Sequence, residues 1–347
     1  MKIAQILLSP RVGGAETLAA SLEREWNLAG VESHVFYLDS GTSHSSRLIR
    51  WRNLAREIRR LDPSVVVAHS ALPNIYARLS TPRRIPVVTV LHSATDDFFS
   101  IKLRIAESLL LRRTRAIVAV SAAQAHTYLS HFPRAHSRMG VIMNGVAANL
   151  PMKTPDISGT SVTRIVTLAR FAPQKNPSLW IDTVERVSVT RPDASFEWWG
   201  PVADDCGSRE LSRTATHPSF RGELKGATTE PGQVLLKADI LFHTSDREAH
   251  SIAILEAAAV GIPIVCSQSV AATLDACIPF VAFETGNASA AVAALESMID
   301  DWPRAVARSL AIRADIRAKY SSASCATAYL ALLERLVSTP SKHVRTG

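Results

Sequence analysis

Residues 245–267 read SDREAHSIAILEAAAVGIPIVCS, and the order of breakers and apolar residues in them decides the fold. Between Glu248 and Glu256 there is neither Gly nor Pro. Ser251 can cap a helix start, Gly261 suits the position after a helix end, and Pro263 forbids continuation. Residues 262–266 then read as a buried strand. Loop, helix, tight turn and strand in that order make one piece of a parallel α/β repeat. On a helix, eight positions rise roughly 12 Å, a span that suits the distance from a sugar ring to the ribose of a nucleotide-sugar. A carboxylate offers two acceptor oxygens to the two donors of a vicinal diol, and a helix N-terminus between two such groups favours a diphosphate. One solvated glutamate and one at the edge of the core would give the same letters.

The flanking sequence repeats the pattern. Residues 2–9 form a continuous apolar run, the mark of a strand buried on both faces. Gly13 and Gly14 turn it into a helix that starts near Ala15 and ends near Gly30. No G-x-G-x-x-G follows, which argues against a dinucleotide-dependent oxidoreductase. Strands are expected at 31–38, 64–68, 85–91, 116–121 and 140–145, and helices at Arg47–Leu61, 73–79 and 101–113. His92 falls at the C-terminal end of its strand, where ligands collect in open parallel sheets.

After a Pro-, Ser- and Thr-rich linker at 150–162, the strand 164–169 delivers Arg170 and then the loop 171–175. Asn176 is a good cap and Pro177 a good first residue for the next helix. Arg170 and Lys175 thus leave one strand-loop-helix corner, where two cations would neutralise a diphosphate and stabilise it as it departs. A strand at 194–199, with Trp198 and Trp199 expected to pack, is followed by a helix at 233–238. The strand at 239–243 leads into the Glu248 loop, and residues 288–336 are nearly all helical. Strands that lack two-residue alternation, in both halves, imply two doubly wound parallel sheets.

Length and composition agree. A chain of 347 residues with 47% hydrophobic and 20% charged residues is an ordinary globular composition of two domains. The division expected is 1–155, 156–335 and a tail at 336–347. No apolar run of about 18 residues predicts a membrane span, and MKIAQILLS reads as a strand rather than a cleaved leader. Cys206, Cys266, Cys277 and Cys325 lack C-x-x-C spacing, which points to free thiols in a cytoplasmic protein. Residues 1–158 carry a net charge of +9 and residues 159–347 a net of −1. A basic first half fits an anionic acceptor or peripheral contact with an anionic inner membrane face, and by charge alone a nucleic acid.

These motifs resemble the retaining glycosyltransferases of family 4. The resemblance rests on E-x7-E followed by E-A-x-A-x-G-x-P-x-V at Glu248–Glu256 and beyond, R-x4-K-N at Arg170–Asn176, G-G-x-E at Gly13–Glu16, P-V-V-T-V-L-H ending at His92, and N-G at Asn144–Gly145. Its implication is a GT-B fold, two Rossmann-like α/β domains across a crevice, with the acceptor on the first domain and the nucleotide-sugar donor, a UDP-sugar, on the second. It further implies His92, Arg170, Lys175 and Glu248 as catalytic residues. Gly13, Gly14, Arg170, Lys175, Glu248, His250, Ser251, Ile252 and Glu256 would bind the donor, and Gly14, Glu16, His92 and Asn144 the acceptor, which is a small molecule, saccharide or lipid-linked hydroxyl. The chain departs from the family at Ala249-His250-Ser251, where Gly-Phe-Gly is common, at Ala147 in place of Asp, and at His243 in place of Pro. With no D-x-D, neither a metal nor another cofactor is expected, and nucleic acid is not expected as a partner. A GT-B epimerase or phosphorylase, or a non-enzymatic anion-binding protein, remains the alternative.

Overall fold

The computed structural model describes residues 1–10, 13–39, 46–92, 100–154 and 164–338. The chain divides into two compact units, one made of Met1–Gly145 with the stretch from Ser322 onward, the other of Val146–Ser321.

The first unit alternates strand and helix: β1 (Lys2–Leu7), α1 (Gly14–Leu28), β2 (Glu32–Tyr37), α2 (Arg47–Leu61), β3 (Val65–His69), α3 (Ala71–Ser80), β4 (Val87–Leu91), α4 (Ile101–Leu110), β5 (Ala116–Ala119), α5 (Ala122–His131) and β6 (Met139–Val141). The six strands form one parallel sheet in the order β2-β1-β3-β4-β5-β6. Ala4, Ile6, Val66 and Ala68 face one way and share a core with Leu54 and Ile58 of α2 and Tyr76 and Ala77 of α3. The intervening Ile3, Gln5, Val65 and Val67 are equally buried, so both faces are covered and the strands need no polar alternation.

The second unit repeats the plan with β7 (Arg164–Leu168), α6 (Pro177–Thr190), β8 (Ser195–Trp199), α7 (Cys206–Ala215), β9 (Gly222–Gly226), α8 (Pro231–Leu236), β10 (Ile240–His243), α9 (Ile252–Val260), β11 (Ile264–Ser267), α10 (Gln268–Ala271), β12 (Val281–Phe283), α11 (Ala288–Asp300) and α12 (Trp302–Lys319). Its strands are all parallel in the order β12-β11-β10-β7-β8-β9. Alternate residues enter separate cores. Ile165, Ile240 and Phe242 pack with α6 and α11, and Val166, Leu168 and Leu241 pack with α8 and α9. That is the doubly wound arrangement, and its strand order reverses between β7 and β10.

The division differs from the expected 155/156 boundary at both ends. Val146 and Leu150 belong to the second unit's core, and the Val146 amide donates to Tyr320 O at 2.7 Å. The final helix α13 (Ser322–Ser338) leaves that unit and packs on α1. There Trp26 Nε1 donates to Ala326 O at 3.1 Å and the Trp26 ring meets Tyr329 edge-on, while Ser322 Oγ donates to Glu25 Oε1 at 2.8 Å. Helical periodicity identifies α13 as a helix but not the sheet it serves. The expected tail from 336 is helical as far as Ser338, and 339–347 lie outside the described residues. The linker is irregular over 150–154, and its remainder also lies outside them. The strand expected at 140–145 shortens to β6, and α5, α7, β9, α10 and β12 are additions.

Candidate functional site

In the second unit the groups converge at the C-terminal ends of β7 and β10, where the strand order reverses and an open sheet leaves a crevice. After β7, Arg170 is exposed and takes no hydrogen bond or ion pair among the described residues. The corner is set by Gly200 at the end of β8, which approaches so closely that a Cβ there would lie 1.9 Å from Ala169 O. Residues 173–175 make one tight helical turn. Asn176, at φ 51°, caps α6 as the sequence predicts, its Oδ1 accepting from the Leu179 amide at 3.1 Å.

Lys175 pairs with Oε1 of Glu248 across the corner. The same oxygen accepts from Ser245 Oγ at 2.9 Å and lies 3.0 Å from His243 Nε2. Oε2 takes no partner among the described residues. Burial alone would raise the Glu248 carboxyl, but the Lys175 charge and the His243 bond outweigh it and hold it down at about 2. Glu248 is therefore a fixed carboxylate with one oxygen committed and one open. Its loop is tied down on three sides. Asn176 Nδ2 donates to Asp246 Oδ1 at 2.7 Å, Thr244 Oγ1 to Lys175 O at 2.8 Å, and Ser267 Oγ to Ser245 O at 2.5 Å.

Only residues 252–260 are helical, so Glu248 sits in the loop and Glu256 two turns away in α9. The Glu256 carboxyl is half-buried and has no partner among the described residues, and burial raises it to about 7. Gly261 ends α9 at φ 95° as expected. Ser251 stands at the cap position but makes no capping bond; its Oγ lies 3.4 Å from His243 Nε2 instead. His250 is buried against the Tyr320 ring, 6.1 Å between centroids, and burial lowers it to about 4. Ser251 and then Ile252, the half-buried first residue of α9, follow it. Trp198 packs, as expected, between Phe171 and Trp180.

The remaining expected residues belong to the first unit. Gly13 and Gly14 open α1, and the Glu16 carboxylate folds back so that a Cβ on Gly13 would meet its Oε2 at 2.6 Å. A Cβ on Gly14 would meet nothing, so that turn does not require a second glycine. Asn144 is buried near the unit's end. His92 follows β4, with its Nε2 3.0 Å from Nδ1 of His69. His69, Gln5 and Ser245 are polar partners that the sequence reading does not single out, and it notes His243 only as standing in place of the family's Pro. His243 carried a signal, an imidazole at a strand end five residues before Glu248; Gln5 in a buried strand carried only its polarity. Among the described residues no group of three or more His, Cys, Asp or Glu is placed to hold a metal ion.

The comparisons with known proteins find two successive domains. Residues 12–150 match the family Glycosyltransferase Family 4, and residues 159–314 match Glycosyl transferases group 1. HepE of Anabaena in complex with UDP and glucose superposes with a TM-score of 0.80 at 18% identity, covering 96% of this chain and 99% of that one. Sucrose-phosphate synthase from Thermosynechococcus elongatus gives 0.79 at 14% identity, over 96% and 98% of the two chains. A glycosyltransferase from Rickettsia africae gives 0.76 at 16%, over 97% and 99%. A search of curated protein sequences returned no match. Two glycosyltransferase domains in tandem over most of its length, on the fold these structures share, make the chain a glycosyltransferase of the GT-B type.

Proposed function

We propose that this glycosyltransferase moves a sugar from a nucleotide-sugar, a UDP-sugar, to an acceptor hydroxyl with retention of configuration, using the nucleotide-sugar as co-substrate and neither a metal nor another cofactor. The observation that carries the proposal is the Lys175–Glu248 pair at the reversal point of the second sheet, with Glu248 Oε2 without a partner among the described residues and Arg170 exposed at the end of β7. Arg170, Lys175 and the N-terminus of α9 at Ser251–Ile252 supply positive charge for a diphosphate, and a leaving diphosphate gathers negative charge as its bond to the sugar breaks. Glu248 Oε2 orients a hydroxyl of the transferred sugar, and Glu256 takes the ribose diol. HepE, solved with UDP and with UDP-glucose, supports the choice of nucleotide. The first unit, with Gly14, Glu16, His92 and Asn144, takes the acceptor, and its basic helices suit an anionic or lipid-linked one. A cytoplasmic protein in peripheral contact with an anionic membrane face fits both.

The test is a thermal-shift series over nucleoside diphosphates and their sugars, since a ligand that binds only the folded state raises the midpoint by mass action. UDP and UDP-glucose raise it, with and without EDTA. NMR of the product then shows the anomeric configuration of the donor kept. A midpoint that no nucleotide moves, or an inverted product, defeats the proposal.

A further inference from the structure

Gln5 lies inside β1 and is wholly buried, an uncommon place for an amide. Its Nε2 donates to Ala19 O at 3.1 Å and to Ser33 Oγ at 3.2 Å, and its Oε1 lies 3.1 Å from His69 Nε2. The amide has only one workable orientation, because a flipped one would set Oε1 against the carbonyl oxygen of Ala19. Oε1 can only accept, so His69 carries its hydrogen on Nε2. His69 is 1% exposed, and burial with the neighbouring His92 keeps it well below its usual range and hence neutral. Its Nδ1 is then a bare lone pair. The facing atom, His92 Nε2 at 3.0 Å, must supply the hydrogen.

His92 is itself held neutral by burial, which lowers it to about 4. With hydrogen on Nε2, its Nδ1 is an acceptor, and among the described residues it meets no partner. Strand order builds the chain of bonds. β1, β3 and β4 are neighbours, with Ile6 opposite Ala68 and His69 opposite Val90, so Gln5, His69 and His92 step across three adjacent strands toward the end of β4.

We propose that Gln5 and His69 are positioning residues that hold His92 in its Nε2–H tautomer, so that Nδ1 accepts a hydrogen bond from a hydroxyl of a saccharide substrate and cannot donate one to a phosphate. The saccharide rests on the proposed function; the tautomer does not. A neutral acceptor fixed in one state selects a hydroxyl over an anion without any charge of its own, and the bonds behind it prevent the ring from reversing.

The experiment is long-range proton–nitrogen NMR on the full chain labelled with 15N-histidine, with the His92 signals assigned by their loss in His92→Gln. The expected result is a protonated-type Nε2 and an unprotonated-type Nδ1 at neutral pH. In Gln5→Leu, checked for folding by its melting curve, His69 is free to reverse, and His92 loses its single tautomer. On adding UDP-glucose or a competent acceptor, the Nδ1 resonance of the wild-type protein moves while Nε2 stays. A hydrogen on Nδ1 in the wild-type protein overturns the proposal, as does an unchanged His92 tautomer in folded Gln5→Leu. If Gln5→Leu fails to fold, the wild-type spectrum decides alone. Turnover of UDP-glucose is read in parallel. The expected tautomer in a protein that transfers no sugar leaves the relay standing and defeats the function, whereas Nδ1–H in an active transferase does the reverse.

Discussion

Glu256 and Glu248 share a motif yet stand in opposite electrostatic states. Glu248 is ionised throughout the neutral range, held near 2 by Lys175 and His243 against its burial. Glu256 has only burial acting on it and sits near 7. In the proposed role a ribose diol donates two hydrogen bonds to it, which favour the carboxylate, so binding should lower its pKa and expel its proton. The sign follows: affinity is full above about pH 7 and falls below it, by up to tenfold per pH unit while the bound form stays ionised. Titration calorimetry with uridine, which carries no phosphate to titrate near neutrality, checks this, and Glu256→Gln should flatten the profile. A slope that survives in Glu256→Gln would assign the proton elsewhere. The two cations differ as well. Arg170 is exposed with no described partner, so Arg170→Ala should lower turnover on the order of 100-fold and leave the melting temperature unchanged. Lys175→Ala should lower both, because Glu248 then lies buried with only His243 and Ser245 on Oε1. Steady-state kinetics beside a melting curve separates the two variants.

At the scale of elements, three helices of the first unit meet on one buried charge. Arg78 of α3 donates to Glu107 of α4 at 2.9 and 2.5 Å through two nitrogens, and Tyr128 of α5 donates to the same carboxylate at 2.6 Å. The Arg78 side chain is fully enclosed. Glu107→Ala would strand the guanidinium, which costs about 3–5 kcal/mol, whereas replacing Arg78 and Glu107 together by Met and Leu should cost far less. Urea unfolding of the two variants measures the difference, and equal losses would refute the account. The sequence reads α2, the Asn176–Pro177 start of α6 and the Gly261 end of α9 because each carries a local signal. It does not read α5, whose AAQAHTYLSH buries Ala125 and Tyr128 and little else, so no apolar stripe marks it. The half-exposed β9, GELKG, is silent for the same reason. Arg170, Lys175 and Glu248 are legible because strand ends locate them. The bonds from Gln5 through His69 to His92 are not, since they depend on which strands lie side by side.

Over the whole molecule the charge is divided, +9 in residues 1–158 against −1 in the rest, and the first unit adds exposed apolar residues to that charge. On α4, Ile101, Ile105 and Leu109 are 69%, 56% and 71% exposed, four residues apart on one helical face. On α2, only Leu54, Ala55 and Ile58 are buried, and Leu48, Ile49 and Trp51 stay exposed beside the exposed Arg52, Arg56 and Arg59. Helix α3 touches both α2 and α4, and it adds Leu72 and Leu79. Among the described residues no helix is long and apolar enough to cross a membrane. Arginines that flank exposed leucines suit an anionic bilayer surface, where each basic side chain contributes about 1 kcal/mol and the attraction fades within a Debye length of about 8 Å. Co-sedimentation with vesicles containing anionic lipid should then show binding at low salt. Arg52, Arg56 and Arg59 lie on one face of α2, so changing all three to Gln should abolish that binding while UDP affinity, which the proposed function assigns to the second unit, should stay as it was. Ile105→Ser with Leu109→Ser should remove any part of the binding that survives high salt, because apolar insertion is not screened. Vesicles that leave the wild-type protein in the supernatant at low salt would reduce the arginines to solubility charge and point to an acceptor that is met in solution.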